Sequence, residues 1–153
     1  MDDLAELYQQ VILDHNRRPR HFGKLATATH SADGYNPVCG DKVTVFVRLE
    51  GDVIADAAFE GSGCAISRAS ASLMTGAVIG KALPDAERLF RQFQSMVTAD
   101  PNSPLESRET SPLGKLTALG GVRAFPSRIK CATLAWHALH SALTASDRPA
   151  STE

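Results

Sequence analysis

Leu4, Leu7, Tyr8 and Val11 recur at the three- and four-residue spacing of one helix face, which predicts an amphipathic helix over residues 3–16. It must end near Asn16, because Pro19 cannot continue a helix and disfavours helical geometry just before itself. Residues 17–41 are rich in turn formers, and the stretch ATATHSADG offers a short strand. Next, DKVTVFVRLE alternates, with Val43, Val45, Val47 and Leu49 on one face. Gly51-Asp52 signals a turn and VIADAAFE follows, so the pair reads as a half-buried antiparallel hairpin.

After the break GSGC, the run AISRASASLMTGAVIGKAL places small residues at helical spacing and predicts a closely packed, buried helix. Pro84-Asp85 opens another amphipathic helix, whose inner stripe is Leu89, Phe93, Met96 and Val97. Residues 98–112 are rich in proline and polar side chains and predict an exposed loop. Ser111-Pro112 is a cap-and-proline helix start, with Gly120-Gly121 as the matching stop. PSRIKCATLAWHALHSAL predicts a terminal helix capped by Ser127. No internal repeat or linker separates two cores. The expected architecture is α+β, a small antiparallel β-sheet packed against several α-helices. It forms a single domain over residues 1–145, followed by a flexible polar tail at 146–153.

Composition narrows this little. The 153 residues are 43% apolar and 22% charged, ordinary for a globular chain able to bury a core. A net charge of −1 offers no overall attraction to nucleic acid or an anionic membrane. No apolar run approaches the roughly 18 residues of a spanning helix. The start MDDLAELYQQ lacks the basic and apolar blocks of a signal peptide, so a cytoplasmic location is expected.

That location makes the three cysteines thiols, and their odd number argues against a disulfide framework. Cys39 lies in a turn before the first hairpin strand, Cys64 in a glycine-flanked break between strand and helix, and Cys131 early in the last helix. All three sit at element ends, where ligands and nucleophiles are commonly placed, and a helix N-terminus favours the thiolate. With Asp41 they make three sulfurs and one carboxylate, a workable tetrahedral set for Zn²⁺, though the same thiolates suit iron. Four anionic ligands on a divalent ion leave net negative charge, and Arg128 and Lys130 flank Cys131. On residues alone, three isolated cysteines without a CxxC pair are equally readable as small buried hydrophobes.

Other features carry less. GSGCAIS resembles a dinucleotide-binding glycine loop but has Ile66 in place of the third glycine, and it follows a hairpin strand. His137 and His140, three apart on a helix, read as a solvated face. His15, His21 and His30 form no HxxH or HExxH pattern, with His15 a candidate for facing a partner. RRPR at 17–20 reads as a solvated turn, or as a docking point for an acidic partner.

Taken together, LYQQVILDHNRRPRHFG, NPVCGD, GSGCAISRASASLMTG and RIKCATLAWHAL make the chain resemble a known family. It is similar to the SufU branch of the SufU/IscU/NifU N-terminal family of iron–sulfur cluster biogenesis proteins. The resemblance spans nearly all of the chain except its tail and implies the SufE/NifU-like fold. It implies that Cys39, Asp41, Cys64 and Cys131 bind zinc. It also implies that Cys39 accepts sulfur from a SufS-type cysteine desulfurase and serves downstream SUF scaffold proteins. Scaffolds of the IscU branch carry a histidine just before the third cysteine, where this chain has Lys130. SufU-like chains carry extra sequence between the second and third cysteines, as this chain does around 84–120. Both features favour the SufU branch.

The implied chemistry is a sulfur relay in which Cys39, from its turn, is the labile ligand. Arg128 would offset the shell's negative charge and hold Asp41 in position. One rival is a scaffold on which the same four ligands assemble a [2Fe–2S] cluster. A second is a non-catalytic protein whose zinc is purely structural.

Overall fold

The structure is a computed structural model and describes residues 3–37, 40–100, 102, 111–144 and 150–151. Helix α1 spans Asp3–Arg17 and leads into strands β1 (His30–Asn36), β2 (Asp41–Glu50) and β3 (Val53–Ser62). Helices α2 (Ala65–Val78) and α3 (Leu83–Val97) follow. A 3-10 segment at Ser111–Ala124 precedes the last helix, α4 (Pro126–Leu143), and a two-residue strand, β4 (Ala150–Ser151). The sheet order is β3-β2-β1-β4, antiparallel except where β4 runs parallel to β1. This is the expected α+β arrangement. Among the described residues, no helix is long and apolar enough to cross a membrane.

The alternation in β2 has the predicted consequence: Val43, Val45 and Val47 are buried while Lys42 is exposed. Gly51, at φ 63°, makes the tight turn to β3. One face of the sheet is covered by α2 and α4, whose small residues allow close approach. Gly34 of β1 lies directly under α4, where an added Cβ would come 3.1 Å from Leu134 Cδ1. Ser70 of α2 donates to the carbonyl of Ala132, which ties the two helices together beside Cys131. The inner stripe of α3 is buried as expected, and Phe90 and Phe93 stack on the fully buried Trp136.

The free edge of β3 is capped from both ends. Phe59 exchanges backbone hydrogen bonds with His21 and Gly23, while Ile54 and Leu83 pair with Lys81 and Asp52. Such capping removes a row of unpaired backbone groups that would otherwise template aggregation.

Three expectations need correction. The helix expected to run through GAVIGKAL stops at Val78: Ile79 is extended, Gly80 takes φ 87°, and residues 80–81 bond to the β3 edge instead. Gly120-Gly121 does not end the segment begun at Ser111, which continues to Ala124 because neither glycine adopts positive φ and Val122 beyond them is buried. Its real break is a kink at Gly114, with φ 55° and ψ −127°. Ser127 is not the cap of α4; Phe125 holds that position, with Pro126 at the start and Ser127 within the first turn. Most of the 98–112 loop lies outside the described residues, and within the expected tail only Ala150–Ser151 are described.

Candidate metal centre

Asp41 opens β2 and is 3% exposed, an expensive position for a carboxylate unless it is partnered. Its Oδ1 accepts the backbone N–H of Cys64 at 3.1 Å, and its Oδ2 lies 3.8 Å from Cys64 Sγ. Cys64 is the N-cap of α2, and its Sγ accepts the Ser67 N–H at 3.4 Å. The start of α2 and the carboxylate therefore meet at one point.

Cys131 enters from α4. The ligand atoms of Asp41, Cys64 and Cys131 all lie within 4.8 Å of one another. Cys64 is exposed and Cys131 is buried, and neither is in a disulfide. Burial pushes the Cys131 thiol far above its usual range, and hydrogen bonding and negative charge from Cys64 and Asp41 push it the same way. Two sulfurs and a buried carboxylate oxygen gathered in this space are a donor set that fits a cation such as Zn²⁺.

The approach depends on Gly63. A Cβ there would lie 2.9 Å from Asp41 Oδ1 and 3.2 Å from Ser67 Oγ. The glycine before Cys64 thus leaves room for the carboxylate, and the glycine flank noted in the sequence has this physical meaning.

Cys39, the expected fourth ligand, lies outside the described residues. On either side of it, Asn36 and Asp41 pair across β1 and β2, and the Gly40 N–H donates to the Asn36 carbonyl at 2.8 Å. Arg128 does not hold Asp41 among the described residues; its guanidinium lies over the Phe125 ring, 4.6 Å from the centroid. It does line the same cleft as both thiols. Lys130 is half-buried on α4.

That cleft, about 730 Å³, is walled by Ile12, Leu13, Ile66, Val122 and Phe125. Leu13 and Phe125 are unusually exposed for their size. Sequence reasoning missed this wall, because its members come from four separate elements and each looks like an ordinary core position.

The histidines are placed differently from expectation. His15 does not face outward; it is 7% exposed, and its Nδ1 lies 2.7 Å from Ser72 Oγ. His137 and His140, expected on a solvated face, are half-buried. Both contact the Phe90 ring, and His140 Nδ1 lies 3.1 Å from Glu87 Oε2. In RRPR, Arg20 pairs with Asp14 at 2.7 Å while Arg17 and Arg18 are exposed.

The NifU-like N terminal domain family matches residues 7–132. The chain is 44% identical to the zinc-dependent sulfurtransferase SufU of Bacillus subtilis, over 90% of this chain and 89% of that protein. It is 43% identical to the iron–sulfur cluster assembly scaffold protein IscU of Streptococcus pyogenes, over 94% and 86%. A crystal structure from Fervidobacterium islandicum, of a protein provisionally described as an iron–sulfur cluster assembly scaffold for the SUF system, superposes with a TM-score of 0.76. It is 32% identical and covers 90% of this chain and 97% of its own. With a match over most of its length and relatives at this identity, the chain belongs to the NifU-like N-terminal domain family.

Proposed function

We propose that this chain is a zinc-dependent sulfur relay for iron–sulfur cluster assembly. Cys39 takes sulfur from the persulfide of a SufS-type cysteine desulfurase and delivers it to a downstream SUF scaffold. The observation that carries the reading is the convergence of Asp41, Cys64 and Cys131 to within 4.8 Å, with one thiol exposed beside an apolar cleft. The Bacillus subtilis relative, named as a zinc-dependent sulfurtransferase, supports it.

Asp41, Cys64 and Cys131 would hold Zn²⁺, with Cys39 as the fourth ligand. When bound, zinc supplies positive charge that keeps the cysteines as thiolates and has no redox chemistry of its own. Cys39, as thiolate, attacks the outer sulfur of the desulfurase persulfide. The partner's S–S bond breaks, its cysteine leaves as thiolate, and a new S–S bond forms on Cys39. One such bond is lost and one is made, so no external oxidant or reductant is required. Of the four ligands, Cys39 would be the labile one, because the sequence predicts it in a turn rather than at a helix start. Arg128, at the cleft wall, offsets the negative charge of the shell.

The test joins metal analysis to a sulfur-transfer assay. Stoichiometric zinc and strong stimulation of a SufS-type desulfurase, lost in Cys39→Ser, are expected. Iron and sulfide content without stimulation overturns the reading.

The Streptococcus pyogenes relative favours a second reading, a scaffold carrying a [2Fe–2S] cluster on the same ligands. Lys130 stands against it, because a protonated lysine has no lone pair to replace a histidine ligand. A purified scaffold with its cluster absorbs in the visible, whereas the zinc protein is colourless.

A further inference from the structure

A second cavity, about 510 Å³, lies between the end of α1, the middle of α2 and the kink of the 3-10 segment. It shares no lining residue with the thiol cleft. Its charged and titratable lining is entirely basic: Arg20, Lys81, Lys115, His15 and His21. This concentration arises in a chain whose net charge is −1. Arg20 is partly offset by Asp14, but among the described residues Lys81 and Lys115 have no acidic partner. Leu73, Leu89 and Leu113 add an apolar part to the lining.

The floor is ordered by a hydrogen-bond chain. The Arg20 N–H donates to Ser72 Oγ at 2.8 Å, and Ser72 Oγ lies 2.7 Å from His15 Nδ1. With the Ser72 hydroxyl donating to Nδ1, a neutral His15 carries its proton on Nε2. That second ring nitrogen has no described partner, on a side chain that is 7% exposed and lines the cavity. His21 is held at the rim in the left-handed region, φ 60°, with its Nδ1 3.1 Å from Thr75 Oγ1. A non-glycine residue in this conformation persists only where its surroundings impose it.

Two glycines of the lining face open space. An added Cβ at Gly76 of α2 or at Gly114 of the kink would meet nothing within 4 Å. Gly76 sits inside a helix, where glycine is the poorest residue after proline.

We propose that this cavity binds a small phosphorylated molecule, its dianionic head held by Lys81, Lys115, Arg20 and the His15 Nε2–H and its apolar body against the leucines. Three cationic side chains less one paired carboxylate suit a dianion better than a single carboxylate. The cavity is larger than an inorganic phosphate needs, and the leucines favour a ligand with a hydrocarbon or ring portion.

The test uses zinc-loaded protein with phenyl phosphate as probe, followed by calorimetry and by amide chemical shifts. Saturable binding is expected, with shifts at Gly76, Gly114 and Lys115 rather than at Cys64. Lys115→Gln and Lys81→Gln are exposed, leave the zinc content unchanged, and should each weaken binding roughly tenfold, the loss of one charge-assisted contact. Gly76→Leu improves helix propensity and fills open space, so it should fold and bind zinc normally while abolishing probe binding. Inorganic phosphate should bind more weakly than phenyl phosphate, and neutral phenol should not bind. The proposal is overturned by no binding up to about 10 mM, an affinity too weak to be specific. Equal binding by Gly76→Leu, phenol binding as tightly as phenyl phosphate, or shifts confined to the thiol site would overturn it as well. None of these outcomes depends on sulfur transfer.

Discussion

Cys64 meets Asp41 twice, its backbone N–H on Oδ1 at 3.1 Å and its Sγ 3.8 Å from Oδ2. One carboxylate therefore fixes both the start of α2 and the distance between two donors of the candidate centre. Replacing Asp41 with Ala removes a donor and strands that N–H, which costs about 1–3 kcal/mol even in chelator. Zinc affinity should fall by more than the roughly 10- to 100-fold typical of outer-shell changes. Urea unfolding in chelator and zinc competition with a chromophoric chelator measure the two effects separately.

Gly63 and Gly61 give opposite outcomes on substitution. A Cβ at Gly63 presses on the Asp41 carboxylate at 2.9 Å, so Gly63→Ala should weaken zinc binding roughly 10- to 100-fold with little loss of stability. At Gly61, φ is 145° and a Cβ would lie 2.1 Å from the Lys42 carbonyl oxygen. Gly61→Ala should destabilise the β2–β3 pairing by an amount of order 3 kcal/mol. Unchanged zinc affinity in Gly63→Ala would show that the carboxylate is not a ligand.

His15 should make stability fall on acidification. Burial holds its pKa below the ordinary 6.5, and the Arg20 charge pushes the same way. The unfolded chain then binds the proton more readily. The contribution is complete above about pH 6.5 and is lost as pH falls below it, towards the folded value. His137, lowered by burial and by His140, adds in the same direction. Urea midpoints measured between about pH 7.5 and 5.5 should fall less steeply in His15→Gln than in the parent. Parallel slopes would refute the assignment.

Metal removal should expose a difference between the two described thiols. In chelator, iodoacetamide should modify the exposed Cys64 roughly tenfold or more faster than Cys131, which is 5% exposed and whose thiol is held protonated. Zinc should slow both. Peptide mapping over a time course reads this out, and equal rates without metal would contradict the geometry.

Much of this was legible in the chain. The alternation Val43-Val45-Val47 specified a half-buried strand, because side chains two apart must share a face. Leu89, Phe93, Met96 and Val97 specified the buried stripe of a helix for the corresponding reason at helical spacing. Local chemistry was a poorer guide at element ends. Ser127 looked like a cap, but Phe125 and Pro126 fixed the entry to α4. Gly120-Gly121 looked like a stop, but the burial of Val122 carried the segment through. At both places packing outweighed a local preference worth only about 1 kcal/mol.

The sequence by itself determined the strands and helices and, through four ordered motifs, the family and the candidate ligands Asp41, Cys64 and Cys131. Whether those ligands meet was decided by tertiary structure alone. Asp41 and Cys64 stand 23 residues apart in the chain, and a third element must carry Cys131 to them. The small residues of α2 and Gly34 beneath α4 allow the close approach that does so. Tertiary structure also turned His15 inward and gathered Arg20, Lys81 and Lys115 around one cavity. Charges so far apart in sequence have no local pattern, and only the packing of α1, α2 and the 3-10 segment makes them neighbours.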